Sequence, residues 1–544
     1  MNRKTWLLFL VIMLIAAFFR FWHLSLTPPG LYPDEAMNGN NAIEALKTGD
    51  WKVYYPENNG REGLMMNLQA ISIYFLGNTP LALRLVGAIF GVLTVAGIFF
   101  LTLVLFFRNK YVDWIALAAT FFLATSFWHI NFSRMSFRAI MAPFFLIWGF
   151  YFFFKISKNI GSNASQILSA LLGGILFGLG FYSYIAYRTA PLLLLIPIVA
   201  GYLNYKKDSE REACFPCHAA LFLFFAFIAA IPIGLYYLGH PTDFFGRTSE
   251  ISIFSAANTL GFLTENIVKT IGMFWIVGDL NWRHNFSGSP ELYFPVGIFF
   301  LVGLIAIFSK LLGKKKSENT FEAFFLLMWI VLMLLPVVFS AEGIPHALRA
   351  IAAIPAVMII SAWGLVILCV RVREWLRRQK EKYPDETARL QRMGKEALIL
   401  LYLIFAGIAL HTFNNYFNVW AIRTETAASF SESYVEIGKA LNQAPRDLAK
   451  YVIVNGQGVL VRSIPMPAQT IMYVTDSFLP ENQNSKHIFY YTPDKIPYDE
   501  INRRDRAMVV IIDNDSALAK KIKQSIKGLK AEIINNNIFL VKNS

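Results

Sequence analysis

Long apolar runs separated by short polar intervals dominate the chain. A membrane-crossing helix needs about 20 mostly apolar residues. Eleven runs approach or reach that length: 5–23, 82–107, 111–130, 139–156, 167–185, 190–203, 218–238, 292–310, 321–340, 350–370 and 397–414. The run 190–203, rich in Leu and Pro, is the shortest. The first run follows Met-Asn-Arg-Lys, is long for a signal peptide and is not followed by a small-x-small cleavage site, so it predicts an uncleaved first helix.

From about residue 415 the pattern changes. Segments 452–455, 470–474, 487–491, 508–513 and 538–541 read as short buried strands, and 434–441 and 516–527 as helices. The fold expected is an α-helical polytopic membrane protein of about eleven transmembrane helices, with a small C-terminal α/β extracytoplasmic domain. The domain boundaries are 1–420 and 421–544.

Composition agrees with this reading. The chain has 544 residues, 56% of them hydrophobic and only 16% charged, which excludes a soluble domain of this length. The net charge of +14 sits mostly in short loops. Placing Arg3, Lys4, Arg108, Lys110, Lys155, Lys158, Lys206, Lys207, Arg211, Lys310, Lys314 to Lys316 and the basic segment Arg371 to Lys395 inside satisfies the positive-inside rule from end to end. The N-terminus is then cytoplasmic, the C-terminal domain lies outside, and no nucleic-acid stripe remains. Three cysteines are too few for a disulfide framework. Cys214-Phe-Pro-Cys217-His218 has the spacing of a haem attachment site, but on the inner side it reads as a pair of reduced thiols.

The larger outer segments are 24–81, 239–291 and the tail. The first is the most informative. Pro33 precedes Asp34-Glu35 and predicts a helix through Leu46 ending near Gly49. Arg61-Glu62-Gly63-Leu64 follows, leading into an amphipathic stretch through Phe75 suited to the membrane interface. Asp34 has the position of a general base at the membrane surface, with Glu35 or Glu62 assisting. The alternative is that Asp34 and Glu35 only complement a helix N-terminus.

Asp34-Glu35 directly after the first span, and Arg61-Glu62-Gly63-Leu64 before an interfacial helix, resemble the GT-C membrane glycosyltransferases of the protein O-mannosyltransferase and aminoarabinose transferase type (glycosyltransferase family 39-like). The many spans and outer C-terminal domain extend the resemblance over most of the chain. It implies an inverting transfer of a sugar from a polyprenyl-phosphate-linked donor to a lipid, glycan or protein acceptor at the outer face of the membrane. It implies Asp34 as base, an essential role for Glu35, and Glu62 helping to hold a divalent metal ion or to position the substrates.

A lipid-phosphate leaving group calls for cations. Arg134 and Arg138 are four apart and on a helix would share a face. Arg61, Arg188, Arg283 and Arg349 are further candidates, with snorkelling at span ends as the bland alternative. His284 could ligate a metal with Glu62, contact a phosphate, or simply be solvated. A transporter or lipid flippase is the competing class. It would place ionisable residues mid-span and break helices in repeated halves, and a non-catalytic subunit using its outer domain for binding is a third reading.

Overall fold

The computed structural model describes residues 2–207, 213–250, 253, 259–313, 318–534 and 537–542. Arg211 and Lys314 to Lys316, used above for orientation, lie outside the described residues. Among the described residues, ten helices are long and apolar enough to cross a membrane. An eleventh span is obtained if Val112–Ala124 and Phe127–Arg134, bent by 55° where they meet, are one broken crossing. The chain is a multi-pass membrane protein. Only helices or closed barrels satisfy the backbone in lipid, and the uninterrupted apolar runs of this chain select the first.

The break in the eleventh span is satisfied by a side chain of the first helix. Arg20, in the last turn of the first helix, is fully buried and donates to Leu123 O and Ala124 O (both 3.1 Å). These are carbonyls that the end of Val112–Ala124 leaves without helical partners. The guanidinium thus caps the interrupted helix.

The chain forms two compact units. One comprises residues 1–22, 87–133 and 138–418, and carries most of the spans. The other comprises 23–86, 134–137 and 419–544. The first loop groups with the C-terminal part. Side chains explain why. Asn40 donates to the Gln469 carbonyl (3.1 Å) and amide oxygen (2.9 Å), and Thr470 donates to Leu31 O (2.9 Å). Met37 is buried in the C-terminal hydrophobic core.

That core surrounds a five-stranded sheet in the order 488–491, 449–453, 507–511, 537–542, 529–534. The first three strands are parallel and the last two pairings antiparallel. Ala449–Ile453 and Ala507–Ile511 are buried at every position, as expected of parallel strands covered on both faces. Alternate residues serve opposite cores: Val452 and Val510 one, Tyr451 and Val509 the other. The segment 470–474, expected as a strand, is instead inside the helix Ala468–Thr475. Its β-branched and aromatic run reads as extended, but it is buried on nearly all sides, against Glu432–Gln443 and Pro33–Thr48, so packing overrides propensity. The strand Leu529–Ile534 was not expected, because Lys530 and Glu532 give its exposed edge a polar pattern.

Cys214 and Cys217 form a disulfide at the start of the helix Phe215–Gly239, in place of the reduced thiols expected.

Candidate functional site

The first loop builds its site from one helix. Pro33, at the first helical position, starts Pro33–Thr48, and Gly49 ends it with φ +75°. Asp34 and Glu35 occupy the first turn, about 100° apart around the axis, and their fates differ. Glu35 is 1% exposed and ion-paired with Arg84, Nε to Oε1 2.9 Å. It also accepts from Ser136 Oγ (3.1 Å). Arg84 spends its other donors on Pro28 O (2.8 Å) and Gly30 O (2.7 Å), so the pair fixes the chain before the helix. Asp34 is half-buried and accepts one hydrogen bond, from Asn58 Nδ2 (2.8 Å). Among the described residues it has no ion pair.

Arg61 and Glu62 form a short antiparallel pairing with Tyr54–Tyr55, and both are buried. Arg61 donates to Asn38 Oδ1 (2.5 Å) and Asn41 Oδ1 (2.6 Å), both on the helix that carries Asp34. Asn38 donates onward to Ser136 O (3.0 Å). Glu57 accepts from Asn41 (3.0 Å) and from Arg462 (2.9 Å), and Arg462 also reaches Glu44 (2.8 Å). The C-terminal part therefore braces the acidic loop. Arg134, buried, donates to Thr27 O (2.9 Å). The helix ends at Arg134, while Arg138 opens a separate 3-10 turn and lies over the Tyr184 ring (5.7 Å to its centroid). The shared helical face expected for the two arginines does not form, because the chain leaves the helix at Met135 to Phe137.

The membrane unit holds a second polar cluster. Asp279 Oδ2 lies 2.9 Å from His284 Nδ1 and 3.8 Å from His346 Nδ1, and accepts from Ala347 N (2.8 Å). The two imidazole rings are 4.8 Å apart. Burial pushes both histidines below their ordinary pKa, His346 well below, and Arg283 and Arg349 reinforce the shift while Asp279 partly offsets it for His284. Neutral imidazoles beside a carboxylate are ready donors for a divalent cation of the zinc type, and the ligand atoms lie within 4.8 Å of one another. Glu62, expected as a companion of His284, belongs to the other unit and is not in this group. Arg349 closes its own loop through Ser340 Oγ and Glu342 O. Arg188 donates to Phe244 O (2.7 Å) and the Tyr237 hydroxyl (3.1 Å), between two aromatic rings.

Sequence reading missed Arg84, Asn38, Asn41 and Asp279. A signal was present for the first three. An arginine opens an otherwise apolar span, and Asn38, Asn40 and Asn41 cluster in a helix although Asn is a poor helix former.

No family profile and no curated sequence matches the chain. Among solved structures, ArnT from Cupriavidus metallidurans bound to undecaprenyl phosphate matches with a TM-score of 0.55 at 13% identity, covering 99% of this chain and 98% of that one. Its apo state gives 0.52 at 14% identity with the same coverage. An oligosaccharyltransferase from Archaeoglobus fulgidus, tethered to an acceptor peptide, gives 0.49 at 13% identity, covering 100% of this chain and 74% of that one. At these identities the likeness is one of fold, and the fold is the GT-C architecture that the first-loop motif led us to expect.

Proposed function

We propose that this chain is an inverting membrane glycosyltransferase that takes a sugar from a polyprenyl-phosphate carrier, with Asp34 as general base. The observation that carries this reading is the division of labour between adjacent acids. Glu35 is consumed by Arg84 and Ser136, whereas Asp34 keeps one oxygen outside the Asn58 hydrogen bond and has no described ion pair. A base needs such a carboxylate. Asp34 would take the proton of the acceptor hydroxyl, whose oxygen then bonds to the anomeric carbon as the bond to the carrier phosphate breaks. Glu35 is a positioning residue, Arg61 supports the helix that presents the base, and Glu62 remains the proposed assisting acid of the same loop. Arg134, Arg138, Arg188, Arg283 and Arg349 remain the proposed cations for the carrier phosphate, although Arg134, Arg188 and Arg349 donate to protein groups and Arg138 lies over an aromatic ring.

Asp279, His284 and His346 would hold a divalent metal. Such an ion supplies electrostatic stabilisation of phosphate charge when bound. The orientation with the N-terminus inside and the C-terminal part outside is part of the proposal, and rests on the loop charges. The fold likeness to ArnT, which in one structure binds undecaprenyl phosphate, favours a lipid-phosphate donor. The transporter alternative asked for broken helices in matched halves, and one broken span is found among the described residues. The test is an assay of purified protein with a panel of labelled polyprenyl-phosphate sugars and candidate acceptors. Transfer from one of them supports the reading, and no transfer from any with an intact fold refutes it.

A further inference from the structure

The membrane unit contains a cavity of about 630 Å³, within the range of ligand sites. It lies where the broken span Val112–Ala124/Phe127–Arg134, the segment before Phe294–Leu312 and the helix Thr387–Phe413 come together. Its walls are mostly apolar, with Phe122, Val296, Met358 and Ile408 among them. Phe294, Ile298 and Leu301 also line it and are 74%, 41% and 50% exposed on a membrane-crossing helix, so the mouth faces the bilayer.

The polar end is specific. Glu291 lines the cavity at 5% exposure. Its Oε1 accepts from Asp279 N (3.0 Å), while Oε2 is buried with no hydrogen-bond partner among the described residues. A buried polar oxygen left unpaired is costly, and a ligand group there would relieve the cost. Thr412, Asn415 and Ser289 add hydroxyl and amide groups, and Tyr293 stacks on His411 at 3.9 Å. No Lys or Arg lines the cavity among the described residues. A carboxyl group, with or without its proton, gives a phosphate head no counter-charge.

We infer that this cavity is a second lipid site, taking a membrane lipid with an uncharged, hydroxyl-bearing head whose hydroxyl hydrogen-bonds to Glu291. It is distinct in chemistry from a phosphate-carrier site and does not depend on the glycosyl-transfer reading. The occupant is a lipid because the mouth is apolar and opens from a membrane span. The head is uncharged because the polar end offers hydroxyls, amides and one carboxyl.

The test uses the full chain in nanodiscs with two photoreactive lipids sharing one diazirine-bearing tail. One is a diacylglycerol, the other the corresponding phosphatidic acid. Crosslinks are mapped to 122–127, 289–301 and 408–415. The diacylglycerol should label these segments at least about fivefold more than the phosphatidic acid. Glu291→Leu should lower labelling by about tenfold, the scale of a lost buried hydrogen bond, while Glu291→Gln should stay within about threefold of the parent. Leu301→Trp, at a lipid-exposed rim position, should block labelling and serves if Glu291→Leu fails to fold. Equal or stronger labelling by the phosphatidic acid would assign the cavity to a phosphate lipid and overturn the inference. Labelling indifferent to head group, or unchanged in Leu301→Trp, would reduce it to a crevice filled by bulk lipid and overturn it equally.

Discussion

Arg84 and Glu35 form an ion pair at 2.9 Å in which both side chains are 1% exposed or less. One residue opens a membrane-crossing helix and the other stands in the first turn of the loop helix. The pair holds the chain that leads into Asp34 and leaves Asp34 the freer carboxylate.

Removing one partner of such a pair strands a buried charge. Arg84→Met should cost about 3–5 kcal/mol, and Glu35→Gln less, since the amide still accepts a hydrogen bond. Thermal unfolding in detergent should rank wild type, Glu35→Gln and Arg84→Met in falling order. A midpoint for Arg84→Met equal to that of wild type contradicts the role given to the pair.

Gly30 has φ +69°, and a Cβ there would stand 2.4 Å from Phe430 O. Both the left-handed backbone and the close approach require glycine. Gly30→Ala should destabilise by about 1–3 kcal/mol, measured as the change in unfolding midpoint, with protease sensitivity rising in 24–34.

Arg61 bridges Asn38 and Asn41 with two planar donors. Lysine cannot reproduce that fork. Arg61→Lys should keep the charge yet lower kcat by about tenfold or more through misplacement of the helix bearing Asp34, with KM for the donor changing little. A selective rise in KM would instead mean that Arg61 binds the carrier phosphate directly.

His284 and His346 are held neutral by burial, below their ordinary pKa. The unfolded chain binds their protons near pH 6.5, so it takes up more protons than the folded one as pH falls. Their contribution to stability is therefore full above about pH 6.5 and lost below it. The unfolding midpoint should drop between pH 7.5 and 5.5, and His346→Gln should flatten that slope. Zinc at about a hundredfold over its Kd should add about 2.7 kcal/mol, an increment His346→Gln should remove.

Much of this was legible in the chain. Apolar run length alone located each span found among the described residues, because lipid permits few other structures. Pro33 and Gly49 bracketed the loop helix. What escaped was long-range pairing. Arg84 reads as a span-end cation until Glu35 is found beside it, 49 residues away in sequence. His284 was legible as a ligand candidate but not its companions: His346 meets it only through folding, and Asp279, five residues away, carries no local signal that sets it apart. The segment 470–474 misled because strand propensity is local and its burial is not.

The central claim is that Asp34 acts as the base. The most direct measurement is single-turnover sugar transfer by Asp34→Asn, using a donor accepted by the wild-type protein, with folding checked by unfolding midpoint. Asparagine keeps the shape and can still meet Asn58, but it cannot take a proton. The account predicts a loss of about 10²–10⁴-fold in rate with the midpoint unchanged and donor binding retained. Transfer within about threefold of wild type would contradict it.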